Sequence, residues 1–441
     1  MKVNETNESC LIIHPDTHST TDISIQRSPK DQLEECIGLA QSINLIIIKA
    51  QIIKIRDLKS GTLIGKGGIN EIKTLISSKH QQNITDSENN KNIELVILNT
   101  NLTPIQQRNL ENSWEIKVID RTGLILEIFG ARAKTKEGRL QVGLAAMTYQ
   151  RSRLVRSWTH LERQRGGAGF MGGPGEKQIE TDRRLIDKKI LKLKRELKTV
   201  VKTRELHRKS RRKVPYPIIA LVGYTNAGKS TLFNTLTKAN VVAKNQLFVT
   251  LDPTMRSLVL PSGRSVILSD TVGFISNLPH ELVNAFQATL EEVREADLII
   301  HVRDSSHSDS WFQNKDVLIV LDSLGISDRQ NIIIIDVLNK IDLLHQKEIT
   351  KLENLTRRSK GKLYLTSSIN GYGTNKLLRA LDNLVSTELE TVTTKIKYQD
   401  GKKIAWLYKK GEVVKRIEHK ESLELTVRLN KSDANRLDKI T

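Results

Sequence analysis

The chain has 441 residues, a formal net charge of +20 and 38% apolar residues. It is too long for one small core, and roughly two to four domains are expected. No apolar run is long enough to span a bilayer. Its two cysteines, Cys10 and Cys36, exclude a disulfide framework or a thiolate metal site and suit a reducing, cytoplasmic location.

Residues 1–30 are polar and lack the apolar segment of a secretion signal, so they are read as a disordered tail. Residues 31–138 read as a small N-terminal α/β domain. Asp31–Ile43 is a short helix, and Leu45–Ile48 and Gln51–Ile55 are buried strand material. Thr62–Gly68 is a glycine-lysine turn into an amphipathic stretch, Ile69–Ile76. It lacks the spacing of a second phosphate site. Ile93–Leu98 is a strand, and Thr103-Pro104 opens a helix. Trp114–Ile119 alternates like a strand, Asp120–Gly123 is a turn, and Leu124–Ala131 resumes the apolar pattern.

Residues 139–214 change character. Leu140, Leu144, Met147, Arg151, Leu154, Trp158 and Leu161 recur at alternating spacings of four and three. Ile179, Ile186, Ile190, Leu193, Leu197 and Val200 do the same once Arg183 is counted. A glycine-rich link, Gly166–Gly175, separates the two seams, so the segment reads as an antiparallel helical hairpin. Residues 151–213 hold 21 Lys and Arg against 7 Asp and Glu, which is +14 of the chain's +20. A solvated face would carry mixed charge. One dominant sign points to the phosphate backbone of structured RNA.

Residues 215–388 carry the chemistry. A short apolar run ends in Gly223, followed by Tyr224, Thr225, Asn226, Ala227, Gly228, Lys229 and Ser230. That is the strand, G-x-x-x-x-G-K-S loop and helix of a phosphate-binding site. Glycines let backbone N–H groups curl round phosphates, and the following helix points its positive end at them. Lys229 would reach the outer phosphates and Ser230 would ligate Mg²⁺. Leu247–Thr254 is a loop with two threonines, Thr250 and Thr254, and either could serve the metal. Strand Ser265–Asp270 ends in Asp270-Thr271-Val272-Gly273. Asp270 can hold the Mg²⁺ shell through water, and Gly273 can donate its N–H to the terminal phosphate. Leu298–Val302, Ile332–Leu338 and Lys362–Leu365 are further strands. The whole is expected to be a doubly wound α/β nucleotide domain with its motifs at strand C-termini. Asn339-Lys340-Ile341-Asp342 selects the base. A carboxylate accepts hydrogen bonds from guanine N1–H and its 2-amino group, a donor pair that adenine lacks. The nucleotide is therefore GTP.

Two residues bear on hydrolysis. Phe274 stands where many GTPases place a glutamine, and a phenyl ring cannot orient water. Slow intrinsic turnover with stimulation by a partner is expected. Asn226 makes K⁺ a second cofactor candidate beside the phosphates. Asp336 interrupts a strand that should be apolar throughout, and no role is assigned to it. Residues 389–441 read as a small C-terminal α+β domain. Leu423, Leu425, Val427 and Leu429 alternate on one strand, Lys402–Tyr408 is its partner strand, and Ser432-Asp433 caps a last helix.

The combined motifs are those of translation-factor-related GTPases. Narrower words are Asp120-Arg-Thr-Gly-Leu-Ile-Leu126, Leu154–Arg163, Gly173–Arg184 and Phe248-Val-Thr-Leu-Asp-Pro-Thr254. They resemble the HflX GTPases, from about residue 31 to 385. The resemblance implies a Mg²⁺-dependent cytosolic GTPase that binds the large ribosomal subunit and its RNA, linked to ribosome splitting, rescue or subunit assembly. It makes Thr250 the switch threonine on Mg²⁺, within Phe248, Val249, Thr250, Leu251 and Asp252. It also assigns Ser367, Ser368 and Ile369 to the guanine-contacting loop, with Ser368 where alanine is usual. Neither a DNA partner nor firm membrane attachment is expected, and the chain is expected to be a monomer. The competing readings are a GTP-gated RNA clamp with little turnover and a membrane-associated signalling GTPase.

Overall fold

The computed structural model describes residues 8–17, 27–82, 92–164, 174–211, 216–239, 247–248, 254–276, 292–326, 332–386, 389–419 and 421–437. The first unit is a four-stranded parallel sheet of order β2-β1-β3-β4. Its members are β1 (Ser9–Asp16), β2 (Ile46–Lys54), β3 (Leu95–Leu98) and β4 (Lys117–Asp120). The helices between them are α1 (Pro29–Ser42), α2 (Lys66–Gln82) and α3 (Pro104–Trp114). Strand β1 corrects the expectation that everything before residue 31 is a disordered tail. Cys10, Leu11, Ile12 and Ile13 have no exposed surface, and β1 lies between β2 and β3. A strand buried on both faces needs only a short apolar run, which is easily lost in a polar context.

Helix α3 begins as its sequence dictates. Thr103 Oγ1 accepts from Gln106 N at 3.2 Å, Gln106 Oε1 accepts from Thr103 N at 2.9 Å, and Pro104 occupies the first turn. Such a capping box contributes about 1 kcal/mol. Residues 120–123 are not a free turn between strands. Asp120 caps α4 (Arg121–Arg132), its Oδ1 accepting from Gly123 N at 2.8 Å and from the Tyr149 hydroxyl at 2.5 Å. Its Oδ2 accepts from Arg153 at 2.5 Å and from Leu102 N at 3.1 Å.

The hairpin is formed by α5 (Lys136–Gln164) and α6 (Pro174–Arg211). The seam expected on α6 faces inward. Ile190 is buried, Ile186, Leu193, Leu197 and Val200 are half-buried, and Arg151 of α5 pairs with Asp187 at 2.9 Å. The outer face exposes Arg184, Lys188, Lys189, Lys192, Lys194, Arg195 and Lys198. With 38 residues, α6 is roughly 57 Å long. Of the glycine link Gly166–Gly175, residues 166–173 lie outside the described residues.

The nucleotide domain is a six-stranded sheet of order β10-β9-β8-β5-β7-β6. Its strands are β5 (Ile218–Gly223), β6 (Thr254–Val259), β7 (Ser265–Asp270), β8 (Leu298–Asp304), β9 (Ile333–Asn339) and β10 (Leu363–Leu365). All pairs are parallel except β6 with β7, an antiparallel edge. Its helices are α7 (Lys229–Thr237), α8 (Ser310–Ser323), α9 (Gln346–Arg358) and α10 (Thr374–Ser386). The oddity in β9 has a partner: Asp336 Oδ1 lies 2.9 Å from Nδ1 of buried His301 on β8. The Asp336 side chain is itself 38% exposed, so the strand is not sealed on that face.

The last unit is an antiparallel sheet of order β11-β13-β12, built from β11 (Leu389–Lys397), β12 (Glu412–Glu418) and β13 (Ser422–Asn430). Leu423, Leu425, Val427 and Leu429 form its buried face, and Lys431–Leu437 is a closing helix, α12. Residues 402–408 are not the partner strand. They lie in α11 (Gly401–Lys410), which packs Ile404 and Leu407 into this core and exposes Lys402, Ala405 and Tyr408, a three-residue spacing rather than alternation.

The first three units share one core. Cys36, Leu39 and Phe129 of the first unit and Val142 and Ala145 of α5 belong to it. So do Tyr224, Phe248, Val272, Phe274 and Val293 of the nucleotide domain. At the base of the hairpin, Arg204 joins Glu137 at 3.2 Å and also pairs with Glu292, just before β8.

Candidate functional site

The phosphate loop connects the C-terminus of β5 to the N-terminus of α7. Gly228 has φ +90°, and a Cβ there would collide with the Asn339 amide, so only glycine fits. Lys229 is buried, and its ammonium donates to Gly223 O at 3.1 Å and Tyr224 O at 2.7 Å. Burial lowers its pKa to about 8, against the pull of the Asp270 carboxylate, while Lys340 adds to the lowering. Ser230 Oγ donates to Asp270 Oδ2 at 2.7 Å, so a hydroxyl and a carboxylate meet where α7 starts and β7 ends. These hard oxygen donors fit Mg²⁺ held mainly by phosphates and water. Among the described residues no group of three His, Cys, Asp or Glu could cage an ion alone.

The segment after β7 lies on the phosphate loop. Thr225 N donates to Phe274 O at 2.7 Å and Phe274 N donates to Gly223 O at 3.1 Å, a short parallel bridge. Thr271 Oγ1 donates to Leu221 O at 2.5 Å. Phe274 is 4% exposed, with Val272 beside it in the shared core. Its ring therefore fills the domain junction rather than facing the phosphates. Phe248 is buried with it, edge-on to Phe129 at 4.7 Å, and Leu247 touches α1 at Gly38. Val249, Thr250, Leu251 and Asp252 lie outside the described residues.

The residues read as base-selecting lie together, and Asn339, Lys340 and Asp342 each already have a side-chain partner. Asn339 Nδ2 donates to Ala227 O at 2.9 Å, and its Oδ1 accepts from Ser368 N at 3.0 Å and Ser368 Oγ at 2.8 Å. It fastens the phosphate loop to the last loop. The serine in place of alanine thus adds a hydrogen bond. Lys340 Nζ pairs with Asp304 at 2.6 Å. Asp342 accepts from Ser367 Oγ at 2.5 Å and is otherwise exposed, while Ile341 is buried. Leu343 and Ile369, the next residues on each side, are 64% and 80% exposed and offer apolar surface to a planar base. Asn226 is exposed at φ +60°.

One junction was not anticipated. Glu35 of α1 accepts from Arg121 at 2.5 Å, from Arg27 at 2.6 Å, from the Tyr224 hydroxyl at 2.9 Å and from Ser276 Oγ at 3.1 Å. Ser276 N donates to the Tyr224 hydroxyl at 2.7 Å, and Arg121 also reaches Ser276 O and Asn99. Arg27 further pairs with Asp309 at 2.7 Å. Burial would raise the Glu35 carboxyl, but the Arg121 and Arg27 guanidinium groups outweigh it and hold it below the usual carboxylate range. The segment at residues 120–123 thus contributes an arginine, Arg121, to the junction with the nucleotide domain. No local pattern around Glu35 signals this.

The sheet order, phosphate loop and Asn339–Asp342 module define a phosphate-loop GTPase domain set among three further units. Family descriptions cover nearly the whole chain. "GTP-binding GTPase N-terminal" matches residues 30–130 and "GTP-binding GTPase Middle Region" residues 132–211. "50S ribosome-binding GTPase" matches residues 218–340 and "HflX C-terminal domain" residues 355–440. GTPase HflX of Magnetococcus marinus is 44% identical over 405 residues, 92% of this chain and 89% of that protein. GTPase HflX of Escherichia coli is 44% identical over 346 residues, 78% of this chain and 80% of that protein. The chain belongs to the HflX family of GTPases. A crystal structure of SsGBP with GDP shares the fold at 23% identity and a TM-score of 0.50, covering 86% of this chain and 99% of that one. Among the described residues no helix is long and apolar enough to cross a membrane.

Proposed function

We propose that this GTPase docks on the large ribosomal subunit through the basic outer face of its hairpin, and that docking controls hydrolysis in the service of ribosome splitting, rescue or subunit assembly. The single observation behind this is the shared core. Val142 and Ala145 of α5 belong to the same buried core as Phe274, and this continuity supports mechanical coupling between an RNA-bound arm and the γ-phosphate sensor. The description of residues 218–340 as a 50S ribosome-binding GTPase supports the partner.

In this reading Gly223 to Ser230 cradle the phosphates and Lys229 offers charge to the outer ones. Gly273 senses the terminal phosphate, and Asp342 with Ser367 to Ile369 holds guanine. Ser230 and Thr250 would hold Mg²⁺, with Asp270 behind a water, and the bound ion neutralises charge on the β- and γ-phosphates. The buried Phe274 keeps one competing reading in play, a GTP-gated RNA clamp with little turnover. Hydrolysis measured with and without large subunits separates the two. Stimulation supports the ribosome-gated enzyme, and its absence supports the clamp.

Exposed Asn226 is the residue for a K⁺ site beside the phosphates. Single-turnover hydrolysis is expected to be faster in KCl than in NaCl at equal ionic strength. Equal rates would remove K⁺ from the account.

A further inference from the structure

Replacing the usual glutamine by buried Phe274 leaves the hydrolytic water without an obvious orienting group. The phosphate loop itself carries a side chain suited to the task. Thr225 is 6% exposed, and its Oγ1 has no hydrogen-bond partner among the described residues. A buried hydroxyl without a partner costs free energy. A threonine kept for loop shape alone would turn that hydroxyl to a neighbouring carbonyl, as Thr271 and Thr235 do.

Its position is as telling. A Cβ at Gly273 would stand 2.8 Å from Lys229 Nζ, 2.8 Å from Thr225 Cα and 2.9 Å from Thr225 Cγ2. Lys229, Gly273 and the Cα and methyl group of Thr225 therefore meet at one point, with the Thr225 hydroxyl on the same Cβ. Lys229 and Gly273 are the groups assigned to the terminal phosphate, so Thr225 borders that subsite. Thr225 also lines a cavity of about 390 Å³ that opens between the phosphate loop, α1 and α8.

We propose that the Thr225 hydroxyl is a catalytic group of the GTPase that orients the attacking water. A hydroxyl can accept and donate at once. Its oxygen accepts a hydrogen bond from the water, which turns a water lone pair toward phosphorus, and its own O–H donates a hydrogen bond to a γ-phosphoryl oxygen. The bond from water oxygen to phosphorus forms, and the bond from phosphorus to the bridging oxygen breaks with its electron pair leaving on GDP. The water's proton ends on the released phosphate. Thr225 keeps its own proton throughout, as its alcohol chemistry requires.

This inference rests on assigning Lys229 and Gly273 to the terminal phosphate, and the test separates the two. Thr225→Val removes the hydroxyl at nearly constant shape, and Thr225→Ser keeps it. Single-turnover GTP hydrolysis by the full chain is expected to slow roughly 100-fold in Thr225→Val and only a few-fold in Thr225→Ser, about what one lost transition-state contact costs. GDP affinity should stay within about threefold in both, a split that a merely structural residue would not produce. Wild-type turnover by Thr225→Val overturns the proposal. So does an equal loss of GDP affinity in both variants, which would make Thr225 a shape residue. Should Thr225→Val fail to fold, Thr225→Ala replaces it, and wild-type turnover there has the same force. A Lys229→Met control that hydrolyses GTP normally would instead overturn the underlying assignment.

Discussion

Lys229→Met is expected to lower GTP turnover by roughly 100- to 1,000-fold, the scale of removing one preorganised charge from a phosphoryl-transfer site. Stability of the nucleotide-free protein should hold or rise. Lys229 is buried, its ammonium rests on the carbonyls of Gly223 and Tyr224, and burial pulls its pKa down to about 8. The fold thus carries a desolvated cation for its ligand's sake, and methionine fills similar space without the charge. Thermal melting of the variant should show no loss in buffer but little upward shift on adding GDP. Wild-type protein at 100 times its Kd gains about 2.7 kcal/mol. The pH dependence has a definite sign. Phosphates favour the ammonium form, so bound protein has the higher Lys229 pKa. Affinity should be flat below pH about 8 and fall as pH rises through that value, with proton uptake on binding. Calorimetric titration in two buffers of different ionisation enthalpy measures that uptake. Constant affinity from pH 7 to 9.5 would contradict the placement of this lysine.

Glu35→Ala should cost about 3–5 kcal/mol, because it strands the Arg121 and Arg27 guanidinium groups at a buried junction. The loss is expected in the joint between the first unit and the nucleotide domain. Tyr224 and Ser276 share this carboxylate, so hydrogen exchange should rise at both the phosphate loop and residues 273–276. Glu35→Gln should be milder, since the amide oxygen can still accept one arginine. Acid should mimic the variant. The Glu35 carboxyl is held below its ordinary value in the folded chain, so its stabilisation is full above the unfolded pKa and disappears as pH falls through the folded one. Exchange confined to the first unit in Glu35→Ala would show that the network does not reach the nucleotide loops.

What the sequence discloses and what it hides follow from range. The phosphate loop, Asp270–Gly273 and Asn339–Asp342 are contiguous words, and the chemistry of each is complete within a few residues. The hairpin seam is legible because its period repeats over many turns. The Glu35 junction joins residues 86, 189 and 241 positions apart, and no local pattern encodes such partners. Strand β1 hides because a short apolar run in polar surroundings is indistinguishable from a chance cluster. Residues 402–408 mislead for the opposite reason. Ile404, Trp406 and Tyr408 alternate in the sequence, yet the fully buried residue of the segment is Leu407, one turn from Ile404, and Tyr408 is exposed. The sequence shows that Phe274 cannot orient water. Only the shared core shows where its ring goes instead.

If docking of the hairpin governs the fate of the γ-phosphate, hydrolysis must respond to the large subunit. Single-turnover GTP hydrolysis, titrated with purified large ribosomal subunits at near-physiological salt, tests it most directly. Saturable acceleration is predicted, weakening as salt rises because the basic face of α6 meets phosphate. A rate unchanged at every subunit concentration, with the protein bound to the subunit, would contradict it.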